Sequence, residues 1–317
     1  MMAQAHPEYI WWEGERRRWE DATVHVTDLA WSAVGAVFEG IRAYWNDDRE
    51  ELFVFRLPEH LKRLEQSSRI VRLPLKVSQT ELTGIIIDLL QMNDVREDTY
   101  IRPLVYTSNA SGKRNSPAEI EGALLVNTNA MPSHLTTGYV QHAKVSSWMR
   151  ISDNVMPPRV KNISNYRNGQ LATYEVREDG YDVAFMLNAQ GKISEAPGAC
   201  VMMVRDGKLI TPDASSGILE SITRDAILTL AREELGVEVQ ERTVDRTELY
   251  MADEVFTCGT AAEITPVVSV DKYTVGNGEA GAMTRQLEAL FVGILRGNEE
   301  RWSKWRTQVP VKASARV

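Results

Sequence analysis

The stretch Pro158-Arg159-Val160-Lys161-Asn162-Ile163-Ser164-Asn165-Tyr166 decides how this chain is read. It follows an extended run, Ala143-Lys144-Val145-Ser146-Ser147-Trp148, and precedes a helix predicted over residues 167–178. Lys161 therefore lies between a strand and a helix, where side chains commonly face a cleft. A primary amine in that position can condense with an aldehyde to give a Schiff base, once desolvation or a nearby cation activates it. Taken alone, Lys161 reads as a surface lysine, since lysine is rarely buried. Segments elsewhere in the chain change that reading.

Three of them suit a phosphate. Glu220-Ser221-Ile222-Thr223-Arg224 opens a predicted helix, whose first N–H groups and dipole favour an anion, and Thr223 adds a hydroxyl. Cys258-Gly259-Thr260-Ala261-Ala262 follows a strand-like run and exposes backbone N–H groups between small residues. Arg56, at the end of the run Leu52-Phe53-Val54-Phe55, is expected to close the anion site. Each has a plainer reading, as a helix cap, a tight turn and an ion pair. Glu195 lies where a hairpin gives way to a turn, and a carboxylate there suits a protonated heteroaromatic nitrogen. Lysine chemistry, a phosphate cup and a placed carboxylate together fit pyridoxal phosphate, with no glycine-rich nucleotide loop in the chain to point elsewhere.

Composition bounds the rest. The 317 residues are 43% hydrophobic and 25% charged, with a net charge of -8 and both signs mixed along the chain. That is ordinary globular composition, without a basic block for nucleic acid. Ile85-Ile86-Ile87 is cut off by Asp88, far short of a membrane span. The polar start lacks a signal-peptide core, so a cytoplasmic location is expected. Cys200 and Cys258 lack metal-ligand spacing and are expected to be reduced thiols. The five histidines show no metal spacing, and Ser215-Ser216-Gly217 is not a nucleophile elbow, which argues against a hydrolase.

Strands mixed with helices make residues 1–128 a smaller α/β domain. A helix opens at Leu57-Pro58, and Ser78-Gln79-Thr80-Glu81 has the form of a capping box. Residues 127–138 are polar and turn-rich, and 129–138 is taken as an interdomain linker. Residues 139–317 form the larger, cofactor-binding domain. Asp206-Gly207 there predicts a tight hairpin, and a last helix is predicted over 282–295.

Nearly the whole chain resembles the fold-type IV pyridoxal-phosphate aminotransferases, whose fold is that of the D-amino-acid aminotransferases. It is most similar to the branched-chain amino acid aminotransferases. The resemblance is carried by Val37-Phe38-Glu39-Gly40-Ile41-Arg42, by Tyr100-Ile101-Arg102-Pro103-Leu104, and by Asp253-Glu254-Val255-Phe256 with Gly259-Thr260-Ala261-Ala262-Glu263-Ile264-Thr265-Pro266-Val267. It implies two α/β domains, at least a homodimer, and ping-pong transfer of an amino group from an amino acid to a 2-keto acid. It also implies roles: Lys161 as the Schiff-base lysine, Tyr166 at the cofactor's phenolic oxygen, and Glu195 at the ring nitrogen. Arg56, Ile222, Thr223 and Thr260 would hold the phosphate, with Leu219 against the ring. Tyr100, Arg102, Thr260, Ala261 and Ala262 would meet the substrate carboxylate, and Phe38, Gly40 and Arg42 would line the same cavity.

The chain departs from the family pattern in several places. Ala33 stands where the family usually has a tyrosine, and Asn129-Ala130-Met131-Pro132-Ser133-His134 replaces an aromatic loop. Ala196-Pro197-Gly198-Ala199-Cys200 replaces Gly-x-Gly-Glu-Asn, and Val160-Lys161-Asn162 resembles (R)-selective amine transaminases. A donor range that is broader or shifted at Ala33 and Met131 follows as an expectation. The alternatives are an (R)-amine transaminase, a D-amino-acid transaminase, a lyase of the same fold, or an inactive homologue. Retention of Lys161, Tyr166, Glu195 and the phosphate residues argues against the last.

Overall fold

Alternating buried and half-buried side chains make one long strand of Gly122–Ala130 in the computed structural model, which describes residues 6–108 and 117–310. Asn127 and Asn129, polar enough to suggest a connection, continue that strand because their backbone pairs with Arg102 and Tyr100 of the neighbouring strand. Thr128 between them turns into the core. Polar residues on one face do not end a strand whose other face is buried.

The chain forms two units. One comprises the chain up to Ser133, Val160–Ser164 and the chain from Gly293; the other comprises His134–Arg159 and Asn165–Val292. This differs from a single cut near residues 129–138, because the Lys161 stretch and the C-terminal run pack with the first unit.

The first unit begins with β1 (Tyr9–Trp12), β2 (Glu15–Arg18), α1 (Leu29–Val34), β3 (Val37–Phe38), β4 (Ile41–Asn46) and β5 (Glu51–Phe55). It continues with α2 (Leu57–Ile70), α3 (Gln79–Met92), β6 (Thr99–Thr107) and β7 (Gly122–Ala130). The second contributes β8 (Gln141–Val145), α4 (Asn165–Glu178), β9 (Val183–Phe185), β10 (Glu195–Ala196), β11 (Ala199–Arg205) and β12 (Lys208–Thr211). Next come α5 (Ile222–Glu233), β13 (Val239–Glu241), β14 (Glu254–Gly259), β15 (Glu263–Val270), β16 (Tyr273–Thr274) and α6 (Ala282–Leu295), whose end from Gly293 belongs to the first unit. The chain then returns to the first unit with β17 (Arg306–Val309).

The first sheet runs β17-β5-β4-β6-β7-β1-β2, with β3 also on β6, and its pairs are antiparallel. One face carries Ile41, Ala43, Ile101, Val105 and Val126, which pack with Leu57, Leu61 and Leu64 of α2 and Leu82 and Ile86 of α3. Burying one such leucine contributes about 1.5–3 kcal/mol. The expected caps form: Ser78 Oγ accepts from Glu81 N at 3.2 Å, and Glu81 Oε2 accepts from Ser78 N at 2.8 Å. The other face of β4 and β6 carries Arg42, Tyr100 and Arg102, because Arg42 is registered with Tyr100 and side chains alternate along a strand.

The second sheet runs β13-β12-β11-β14-β15-β8-β9, with β10 on β11 and β16 on β15. It mixes antiparallel pairs with parallel ones at β12/β13, β15/β8 and β8/β9. The hairpin at Asp206-Gly207 forms as expected, both residues having positive φ, 51° and 70°. Glu195, Cys200 and Cys258 are consecutive register partners across β10, β11 and β14. Both cysteines are free and buried, and burial beside Cys200 pushes the Cys258 thiol well above its usual range.

Candidate active site

In the first unit, residues 160–164 run alongside β3. Val37 bridges Asn162, Phe38 N–H donates to Lys161 O at 3.0 Å, and Ile163 N–H donates to Ala36 O at 2.9 Å. Val160 enters the apolar core with Val37, so alternation turns Lys161 the other way. Its Nζ lies 5.0 Å from the centre of the Phe38 ring. On the far side of the backbone, Lys161 N–H donates to Ser67 Oγ of α2 at 3.3 Å. Lys161 is thus held through its carbonyl, its amide and its side chain.

Two of the carboxylate-binding candidates, Tyr100 and Arg102, share this unit. The Arg102 guanidinium lies 5.9 Å from the Phe38 ring and 5.4 Å from the Tyr100 ring. Gly40 is fixed by Tyr100, because a Cβ there would overlap the Tyr100 hydroxyl. Arg42, almost fully buried, donates to Met131 O and stacks on Tyr44. Met131 N–H in turn donates to Asp98 O at 2.8 Å, so the loop after β7 is tied down by Arg42 and Asp98. Ala33, on α1, is exposed.

Arg56 is placed differently from its expected role. It caps α2 in the left-handed conformation, with Nε 2.6 Å from Glu59 Oε1 and its guanidinium over the Trp305 ring. It precedes Ser67 by eleven residues, about 16 Å of helix. Arg63 lies one turn before Ser67 and is the arginine that α2 carries to the side of Lys161. Positions four apart share a helix face, so spacing along α2 also marks Arg63.

Beside Arg63 the unit buries a charged cluster. Glu39 Oε1 accepts from Arg63 Nε at 2.7 Å, and Oε2 accepts from Arg63 Nη2 at 2.8 Å and from His60 Nδ1 at 2.7 Å. Burial alone raises the pKa of Glu39, but the Arg63 charge and the bonds from Arg63 and His60 outweigh it and hold it at about 2. Burial lowers the pKa of His60, and the charges of Arg63 and Lys161 lower it further against the pull of Glu39. With Glu39 ionised, the hydrogen between His60 Nδ1 and Glu39 Oε2 sits on the imidazole. The sequence reading gave no role to Glu39 or His60; for Glu39 the available signal was a carboxylate inside an apolar run.

In the second unit, Glu195 is 6% exposed. Its Oε1 is 2.8 Å from Arg150 Nη2, and its Oε2 accepts from Leu219 N–H at 2.9 Å. The strand row from Glu195 through Cys200 to Cys258 leads to Gly259, and the turn Thr260-Ala261-Ala262 follows. Gly259 backs closely onto Gly198 O, leaving 3.0 Å for a Cβ. Ser221 Oγ caps α5 by accepting from Arg224 N–H at 3.2 Å. Ile222 and Thr223 then supply first-turn N–H groups that no helical carbonyl can take. Arg224 itself points to β12 and β13, bonded to Pro212 O and Glu241.

The helix expected from Arg167 starts at Asn165, which puts Tyr166 in its first turn. Gly169, three residues on and on the same face, packs against Pro197 beside Glu195. His134, expected in the linker, is anchored on the loop after Ala261: its Nε2 lies 3.0 Å from Ala262 O and its N–H donates to Glu263 Oε2 at 2.9 Å. Among the described residues no group of His, Cys, Asp and Glu could hold a metal ion, and no helix is long and apolar enough to cross a membrane.

In the first unit a primary amine lies on an aromatic ring; in the second a buried carboxylate has both oxygens engaged and a helix start carries a hydroxyl; each is a group that suits a phosphorylated pyridine aldehyde. The family agrees: residues 36–270 match the model of amino-transferase class IV, and the chain belongs to that family. It is an aminotransferase. Among its relatives, the branched-chain-amino-acid aminotransferase of Escherichia coli (strain K12) is 40% identical, over 97% of this chain and 99% of the relative. The branched-chain amino acid aminotransferase of Thermobaculum terrenum, solved in its PLP form, is 47% identical with a TM-score of 0.93, covering 97% and 100% of the two chains. The T.th. branched-chain amino acid aminotransferase, solved with N-(5'-phosphopyridoxyl)-L-glutamate, is 34% identical with a TM-score of 0.89, covering 96% and 99%.

Proposed function

We propose that this aminotransferase uses pyridoxal phosphate to move the amino group of branched-chain amino acids to 2-oxoglutarate. The names of the relatives support the donor, and the phosphopyridoxyl-glutamate complex of the T.th. enzyme supports the glutamate/2-oxoglutarate couple. These relatives favour amino-acid donors over the (R)-amine, D-amino-acid and lyase alternatives. The observation that carries the chemistry is the three-way holding of Lys161, which a solvated loop lysine does not need.

When bound, the cofactor supplies an aldehyde for the lysine and an electron-poor ring that stabilises negative charge at the substrate's α-carbon. Lys161 Nζ would be the covalent anchor and the base that moves the substrate's α-proton. Glu195, its oxygens engaged by Arg150 and Leu219 N–H, would hold the proton at the ring nitrogen. Tyr166 would bond the phenolic oxygen, and Leu219 would pack against the ring. Ile222, Thr223 and Thr260 would hold the phosphate, with Arg63 in place of Arg56 as its arginine. Arg102 and Tyr100 bind the substrate carboxylate with the backbone of Thr260-Ala261-Ala262, while Phe38, Gly40 and Arg42 shape the cavity. Ala33 and Met131 put no aromatic wall there, and bulkier amino acids are the expected extension of the donor range. We place the enzyme in the cytoplasm as at least a homodimer, supported by the exposed apolar side chains Val24, Val26 and Val34.

Two measurements test this reading. Borohydride reduction and peptide mapping of the loaded enzyme are expected to place the cofactor on Lys161; another lysine would sink the assignment. Leucine, isoleucine, valine, aromatic amino acids, D-alanine and (R)-1-phenylethylamine are then tried as donors to 2-oxoglutarate. Branched-chain donors are expected to lead, and preferential use of D-alanine or the (R)-amine would overturn the substrate class.

A further inference from the structure

Glu39 and His60 have no part in the chemistry above, yet Glu39 is the residue after Phe38 and is bonded to the helix that holds Lys161. Glu39 follows β3 directly, and its side chain is bonded to α2. There the carboxylate takes three donors from two α2 residues, Arg63 in bidentate fashion and His60. His60, Arg63 and Ser67 are spaced by three and four residues and share one face of α2. The connections close into a ring. Lys161 O is held by Phe38 N–H, Phe38 is joined to Glu39, Glu39 is bonded to α2, and Ser67 of α2 holds Lys161 N–H.

We infer that Glu39 is a positioning residue for Lys161: by holding Arg63 and His60 it locks β3 to α2, and so fixes the two backbone hydrogen bonds that set the lysine. The inference rests on Lys161 being the reacting amine. Its physical basis is the stiffness of the ring. The two supports of the lysine come from different elements, a strand and a helix, and they stay in register only if those elements are tied together. A fully buried carboxylate with three charge-assisted or buried donors is a strong tie. Phe38 gains from it doubly, because the same residue supplies the N–H on Lys161 O and the ring under Lys161 Nζ. The Arg102 guanidinium, 5.9 Å from that ring, lies nearer the Tyr100 ring at 5.4 Å, so its seat does not depend on Phe38 alone.

The test is residue-resolved hydrogen exchange on the cofactor-loaded enzyme, with steady-state kinetics, for wild type, Glu39→Gln and Ser67→Ala. Glu39→Gln is expected to speed exchange at Phe38, Lys161 and Ile163 about tenfold, while α3 and β7 keep their protection. Its kcat should fall with KM for the donor unchanged, since placing the amine serves the proton transfer and not substrate binding. Ser67→Ala removes one bond and leaves the buried charges paired, so it folds even if Glu39→Gln does not. It should speed Lys161 exchange roughly fivefold and leave Phe38 unchanged. Unchanged exchange at Lys161 in Ser67→Ala would overturn the inference. So would acceleration in Glu39→Gln spread evenly over α3 and β7, which marks Glu39 as mere scaffold. If reduction of the wild type fixed the cofactor on a different lysine, the functional reading would fall while the exchange results stood, so the two failures are distinguishable.

Discussion

Glu39 is a charge that its surroundings keep ionised in a place where burial alone would neutralise it. Its pKa falls from 4.5 to about 2 on folding. A carboxyl lowered in this way adds stability that is complete above the unfolded pKa and lost as pH falls through the folded one. Between pH 4.5 and about 2 the unfolded chain therefore takes up a proton that folded Glu39 refuses. That proton weakens folding by roughly 3 kcal/mol across the window. His60 acts in the same sense at higher pH. Its folded pKa is lowered by burial, so the unfolded chain is protonated first as pH drops through the ordinary histidine range. Urea unfolding followed from neutral pH to about pH 3 should show stability falling with pH in the wild type. The acid limb should be shallower in Glu39→Gln. Equal acid limbs in the two proteins would mean that Glu39 carries no such linkage.

At the scale of the element, Gly40, just before β4, leaves room for a side chain of β6. It lies against the hydroxyl and ring of Tyr100, the strand partner of Arg42. We expect Gly40→Ala to cost about 1–3 kcal/mol of stability, as overpacking does. Tyr100 would be displaced from beside Arg102, so KM for a carboxylate-bearing donor should rise. Thermal melts and donor kinetics check both effects. Wild-type values in each would show that Tyr100 swings aside freely. α2 illustrates the same economy of position. Its leucines at 57, 61 and 64 seat the helix on the sheet, and the neighbouring stripe at 60, 63 and 67 is thereby brought to β3 and Lys161.

Across the whole molecule, the last described strand belongs to the unit where the chain began. β17 pairs antiparallel with β5, and Trp302 and Trp305 are buried just before it. Trp305 O accepts from Arg56 N–H at 2.7 Å, and its ring lies under the Arg56 guanidinium. Ending the chain after Leu295 should expose the edge of β5 and remove two buried tryptophans, a loss of about 3–5 kcal/mol for each. Hydrogen exchange in β5 and at the start of α2 is the measurement. Undiminished protection there would show that the C-terminal run adds nothing to the first unit.

Local signals in the sequence determined the elements and much of the candidate site. Ser78 and Glu81 announced the start of α3, Asp206-Gly207 announced its hairpin, and the helix over residues 282–295 appears as Ala282–Leu295. Lys161, Glu195 and Thr223 could be singled out because a reactive amine, a turn carboxylate and a helix-start hydroxyl are visible in residue type and local position. Tertiary structure decided what depends on contacts distant in sequence. Asn127–Ala130 is strand because β6 pairs with it, a fact composition cannot carry. Residues 160–164 and the C-terminal run join the first unit because β3 and β5 receive them, some 125 and 250 residues away. Arg56 and Arg63 are equivalent as letters. Only the packing of α2 shows that one caps the helix against Trp305 while the other meets Glu39 near Lys161, since the direction of a side chain follows from the element that carries it and what that element packs on.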